Sequence, residues 1–193
     1  MKDIRQTLFQ FRSYTPLPFL LAMIAFARPT ISTLVAGGTV ALVGEAMRFW
    51  GVAYAGPLTR VTGSVGAPEL ITSGPFSHVR NPLYVGNILL YVGFGIMANA
   101  LAPWLVAATA VYFIVQYAAI VSLEEEFLQK EFGDGFDEYR KTVPRFVPLI
   151  TPIREVRKES QRPDWQGARR SERRTLQAMA LVGLLVVARW AWS

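Results

Sequence analysis

An all-α fold, a polytopic membrane helix bundle of about five membrane segments, is predicted by three features of the sequence. Apolar residues make up 52% of the 193 and charged residues only 18%, which is richer in apolar side chains than the usual globular mix. Positions 81–97 and 98–123 hold no Asp, Glu, Lys, Arg or His. A spanning helix needs about 20 mostly apolar residues to cross roughly 30 Å of hydrocarbon. Lysine and arginine, by contrast, crowd the stretch 125–174, which holds twelve of them. The alternative is a buried helix pair in a soluble domain, but soluble helices of that length usually keep a charged face.

The elements follow in order. The first apolar segment, 16–27, spans alone only if Tyr14 and its neighbours extend it; otherwise it is tilted or re-entrant, and Arg28-Pro29 ends it. The second, 30–54, contains Glu45 and Arg48, three apart on one face, where they can pair with each other or serve a substrate. The third and fourth form a hairpin that turns at 98–103. Phe127, Leu128, Phe132, Phe136 and Tyr139 carry the fourth helix's stripe past the membrane, weakened at Gly133 and Gly135. Pro144, Pro148 and Pro152 make the next stretch extended. The stretch 160–174 reads as a polar, partly mobile linker, and 175–192 as a fifth helix ending in Arg189, Trp190 and Trp192, which suits an interfacial anchor. The division is a membrane core over 1–150, then a basic linker and C-terminal helix over 151–193.

Lysine and arginine gather on the cytoplasmic side of membrane proteins. That rule puts 124–174 and the 54–80 loop inside, the hairpin tip near Asn99 outside, and Lys2, Arg5 and Arg12 inside if the first segment spans. The same topology accounts for the net charge of +6 without a nucleic-acid partner. The absence of cysteine excludes disulfides, thiolate catalysis and cysteine-held zinc, and the single histidine, His78, excludes a histidine-rich metal site; no metal is expected. The first residues, polar and basic, do not read as a signal peptide.

Two constellations can carry chemistry. From Glu69 to Gly86 a Gly/Pro-rich loop runs into a membrane helix. Pro82 suits the first helical position, Asn81 suits the N-cap, and Gly74 permits close backbone approach. The N–H groups of that helix start can hold a carboxylate, or the segment is simply a well-made entry turn. Glu124-Glu125-Glu126 marks the point where the fourth helix leaves its charge-free run, level with Asn81. It is either a solvated face or a receptor for an ammonium and ribose hydroxyls. Together the two describe a zwitterionic, nucleoside-bearing ligand.

The stretch Leu-Ile-Thr-Ser-Gly-Pro-Phe-Ser-His-Val-Arg-Asn-Pro-Leu-Tyr-Val-Gly (70–86) resembles the signature of isoprenylcysteine carboxyl methyltransferases and the related phospholipid N-methyltransferases. The run 124–148, from the three glutamates to Val-Pro-Arg-Phe-Val-Pro, is similar to that family's C-terminal half. The resemblance covers roughly 45–150. It implies an S-adenosylmethionine pocket at the cytoplasmic face, with cofactor contacts on Glu69, Leu70, Ile71, Gly74, Phe76, Asn81, Pro82, Leu83, Tyr84, Glu124 and Glu125. It further implies a lipophilic acceptor that arrives from the membrane lipids. Tyr84 and Arg145 are the candidate catalytic side chains; Tyr84 shapes the pocket, and Arg145 contacts acceptor or cofactor or packs against the acidic cluster.

The chain departs from the family pattern at three positions. Asn81 stands where many members have His, so it takes no proton-transfer role, and Phe76 stands where many have Tyr. Ile120 replaces the Arg of enzymes that esterify prenylated cysteine, which weakens that acceptor reading. Membrane sterol reductases, which use NADPH, are the second enzyme class; they favour an acid where this chain has Asn87. A non-catalytic membrane scaffold is the third reading.

Overall fold

The computed structural model describes residues 3–56, 69–153 and 161–192, and every regular element among them is helical. The α-helices are α1 (Ile4–Phe11), α2 (Pro16–Ala25), α3 (Ile31–Ala55), α4 (Pro82–Ala98), α5 (Trp104–Phe132), α6 (Asp134–Thr142) and α7 (Trp165–Ala191), with a short 3-10 helix at Gly74–Ser77. Residues 57–68 of the expected 54–80 inner loop lie outside the described residues, as do Lys2, Arg154, Arg157 and Lys158 of the basic set.

Helices α3 and α4 lie against each other with backbones in close approach, because glycine faces glycine. A Cβ added at Gly86 would stand 2.6 Å from the Gly44 carbonyl oxygen, and one at Gly93 would meet the Ala41 backbone. Small residues at such spacing are how membrane helices gain packing energy where lipid supplies no hydrophobic drive. Met23, Ala41, Leu90, Phe94, Ala98 and Val186 then close one end of the bundle.

Two helices, α5 and α7, are long and apolar enough to cross a bilayer. Only 33% of the apolar window of α5 and 11% of that of α7 is buried, so neither is the enclosed core helix of a soluble domain. Their outward side chains, among them Val111, Val115, Leu181 and Leu184, form apolar surface that needs lipid as solvent. The chain is an integral membrane protein. Two of the expected membrane segments form shorter apolar helices, α2 and α4; α2 has 10 residues, about 15 Å of helix, too short to cross alone. After it the chain turns as Arg28 N–H donates to the Ala98 carbonyl at 2.9 Å.

One stretch has no fold predicted from its sequence, and another folds differently from expectation. The polar N-terminus is an amphipathic helix, α1, capped by Asp3 and laying Phe9 against Phe113, Tyr117 and Ile120 of α5. The linker expected over 160–174 is helical from Trp165, where Asp164 caps α7 by accepting from Gly167 N–H at 2.8 Å. Tertiary contact explains this difference. Trp165 stacks on Phe49, Ala168 packs on Val52 and Ala53, and Glu172 pairs with Arg48 at 2.9 Å.

Glu45 and Arg48 do pair, at 3.2 Å. Arg48 also bonds Asn87 of α4, so one guanidinium ties α3, α4 and α7. An arginine inside a membrane bundle is tolerated when partners of this kind replace its water.

Candidate functional site

The loop from Glu69 to Asn81 is held from outside by the chain after α6. Leu70 packs with Phe136, Tyr139 and Val143. Tyr139 Oη donates to the Phe76 carbonyl at 2.7 Å, and burial pushes the Tyr139 hydroxyl pKa up, keeping it a donor. Arg80 N–H donates to Pro144 O at 2.9 Å, Leu149 N–H to His78 O at 2.9 Å and Ile153 N–H to Ser77 O at 3.0 Å. The His78 ring bonds Leu149 O through Nδ1 at 2.7 Å, which requires the proton on Nδ1. Gly74 takes φ +61, and a side chain there would enter the Tyr54 ring.

The Gln161 carboxamide closes the other side of this loop. Its Nε2 donates to Leu70 O at 2.9 Å, while Oε1 accepts from Thr72 N–H at 3.1 Å and Ser73 N–H at 3.2 Å. Backbone that would otherwise be loose is thereby fixed on both its donors and its acceptor.

At the start of α4, Asn81 holds the N-cap position but does not cap. Its side chain makes no bond to the helix, and Nδ2 donates instead to Arg145 O at 3.1 Å. The chain at Arg145 approaches closely enough to compete for the amide, which corrects the N-cap expectation. Pro82 follows at the first turn, and the N–H groups of Leu83 and Tyr84 receive no side-chain cap.

The three glutamates of α5 go three ways, because successive residues of a helix point about 100° apart. Glu124 Oε1 accepts from Tyr84 Oη at 2.6 Å. Glu125 is buried between Arg80, whose Nη2 lies at 2.8 Å, and Arg145. Arg80 Nη1 further donates to Val143 O at 2.5 Å and Arg140 O at 3.0 Å. Glu126 meets Arg5 of α1 at 2.5 Å, and the Arg5 guanidinium in turn holds the Asp3 carboxyl below the usual carboxylate range. The Arg12 guanidinium of the same N-terminal segment is seated over the Phe9 ring, 3.9 Å from its centroid. Tyr84 rests on Tyr117 with ring centroids 4.8 Å apart.

Of the residues singled out from sequence, Asn81, Tyr84, Glu124, Glu125 and Arg145 therefore meet at one end of the bundle. Leu83 and Pro82 lean the other way, against Gly51 of α3. Leu70 sits with the α6 cluster, Phe76 is tied there through its carbonyl, and Glu69 is exposed at the loop's edge beside the half-buried Ile71. Arg145 takes the second of its two expected positions, against the acidic cluster. Sequence reasoning gave no role to Arg80, Tyr117, Gln161 or Glu172. Arg80 alone had a legible signal, as the basic residue beside Asn81 facing an unbalanced acidic run.

A family model described as phospholipid methyltransferase matches residues 32–135, more than half of the chain. The chain belongs to the phospholipid methyltransferase family. Among curated relatives, a nickel-cobalt-cadmium resistance protein of Alcaligenes xylosoxydans xylosoxydans is 35% identical over 118 residues, 61% of this chain and 49% of that one. A cobalt-zinc-cadmium resistance protein of Cupriavidus metallidurans is 41% identical over 85 residues, 44% of this chain and 38% of that one. The protein-S-isoprenylcysteine O-methyltransferase of Schizosaccharomyces pombe is 31% identical over 81 residues, 42% of this chain and 34% of that one. This chain spans about half or less of the length of each of these relatives. No solved structure matches. Within the phospholipid methyltransferase match lie α4, Tyr84 and all three glutamates; α1, Arg145, Gln161 and α7 lie outside it.

Proposed function

We propose that this chain is a multi-pass membrane methyltransferase that binds S-adenosylmethionine at the Glu124 end of the bundle and methylates a lipophilic acceptor. The observation that carries the reading is the convergence of the α4 start with the Glu124 carboxylate, joined through Tyr84. The residues fit the cofactor chemically. The uncapped N–H groups of Leu83 and Tyr84 suit its carboxylate, and Glu124 Oε2 is left to accept from an ammonium or a ribose hydroxyl. Leu70, Ile71, Gly74 and Phe76 belong to a loop fixed by Tyr139 and Gln161, and supply backbone and apolar surface for the base. Glu125 and Arg145 act by holding the segment after α6 against this loop.

When bound, S-adenosylmethionine supplies a methyl group already activated on a sulfonium. The chain's own contribution is to position the partners and exclude water, which can lower a barrier by several kcal/mol, about 7 or more at best. An acceptor presenting a carboxylate or thiolate needs no proton removed, whereas an amine would. The basic residues gathered at this end support a cytoplasmic position for it, by the positive-inside rule.

The test is mass spectrometry of a lipid extract incubated with the purified chain and cofactor carrying a deuterated methyl. A lipid that gains the labelled methyl is the expected result and identifies the acceptor. A folded chain that neither labels an extract of its host membrane nor binds the cofactor would overturn the reading.

A further inference from the structure

At the opposite end of the bundle from Glu124, α2, the hairpin turn and the end of α7 enclose a recess of about 380 Å³. Arg28 and Arg189 both line it, with Asn99, Phe26 and Leu101, and among the described residues no acidic side chain does. The Asn99 amide is spent on the Arg28 carbonyl, at 3.0 Å, which fixes the backbone that carries Arg28. Among the described residues neither arginine is in an ion pair, while Arg5, Arg48, Arg80 and Arg145 each have a carboxylate partner. Two guanidinium groups lining one recess give it a positive potential that favours an anion.

The setting says which anion. Trp104 and Trp192, both largely exposed, and Trp190 stand at this same end, where tryptophan marks the level of lipid headgroups. Arginine on the side away from the main basic cluster runs against the usual topology bias. Guanidinium forks match phosphate oxygens in pairs. Phe26 and Leu101 give the recess an apolar wall against which acyl or glycerol carbons can lie.

We propose that Arg28 and Arg189 form a phosphate-binding site at the end of the bundle remote from the methyl-transfer site, occupied by a phosphoryl oxyanion from a phospholipid headgroup or from solution. The site is independent of the methyl-transfer reading. Native mass spectrometry of the full chain in neutral detergent tests it, with dioleoylphosphatidylglycerol, dioleoylphosphatidylcholine and inorganic phosphate as separate probes. The R28Q/R189Q double variant is the comparison, and its thermal unfolding checks folding, since both side chains are exposed. Retention of phosphatidylglycerol over phosphatidylcholine by about tenfold, lost in the variant, is the expected result and assigns a lipid headgroup, since two guanidinium groups favour a headgroup of net negative charge over a zwitterionic one. Arginine-dependent binding of inorganic phosphate without lipid retention supports the site and assigns free phosphate. A folded variant that retains every probe as the wild type does overturns the proposal, and leaves Arg189 as a charge complementing its own helix C-terminus.

Discussion

Tyr84 Oη donates to Glu124 Oε1 at 2.6 Å, joining the first turn of α4 to the point where α5 leaves its apolar run. One hydrogen bond thus fixes the orientation of the carboxylate assigned to the cofactor, with Tyr117 behind the Tyr84 ring. Tyr84→Phe keeps that ring contact and removes only the donor. Hydrogen bonds to charged groups contribute about 1.5–3 kcal/mol to stability, so the variant should lose unfolding free energy of that order, and the freed carboxylate should cost roughly tenfold in kcat/KM. Unaltered kinetics would show that Glu124 needs no help from Tyr84.

Arg80 and Arg145 both hold Glu125, but the Arg80 side chain is 9% exposed and the Arg145 side chain 41%. Removing a partner from a buried pair costs about 3–5 kcal/mol, and from a solvated one about 0–1 kcal/mol. Thermal unfolding in detergent should therefore show Arg80→Ala falling well below Arg145→Ala. The reverse order would mean that the segment after α6 is anchored mainly by Arg145.

Gly86 and Gly38 make a matched pair. A Cβ at Gly86 meets the Gly44 carbonyl at 2.6 Å, whereas one at Gly38 meets nothing within 4 Å. Gly86→Ala should destabilise by about 1–3 kcal/mol through overpacking, and Gly38→Ala should be neutral or gain up to about 1 kcal/mol from helix propensity. Equal effects in chemical denaturation would contradict the close packing of α3 on α4.

Much of this was legible from sequence, and the rest failed for physical reasons. Charge-free runs located α4 and α5, and the Glu45–Arg48 spacing announced a pair that exists at 3.2 Å. The first three turns of α7 were read as linker because Arg169, Arg170, Arg173 and Arg174 mask the one residue, Glu172, that docks them on Arg48. Gln161 could not be found at all. Its three bonds to the 70–73 backbone depend on a fold-back between segments 88 to 91 residues apart, which no local pattern encodes. Asn81 was placed correctly on the chain and wrongly in its bond, since a capping propensity is small beside a tertiary acceptor such as Arg145 O.

Burial raises the Tyr139 pKa above the ordinary tyrosine value, so the native state keeps the proton that the unfolded chain gives up. The contribution to stability is complete below the unfolded value, about 10, and is lost as pH rises from there through the folded value. Unfolding temperature followed from pH 8 upward should decline in the alkaline range, and Tyr139→Phe should flatten that decline. A variant with the wild-type alkaline slope would exclude Tyr139 as its source.

Titration calorimetry of S-adenosylmethionine into the wild-type chain and Glu124→Gln, both in the same detergent, tests the proposed pocket most directly. Binding by the wild type, weakened at least several-fold in the variant with folding intact, is expected from a carboxylate that accepts from the ligand. Equal affinity in the two proteins would remove Glu124 from the site, and with it the meeting of α4 and α5 as a cofactor pocket.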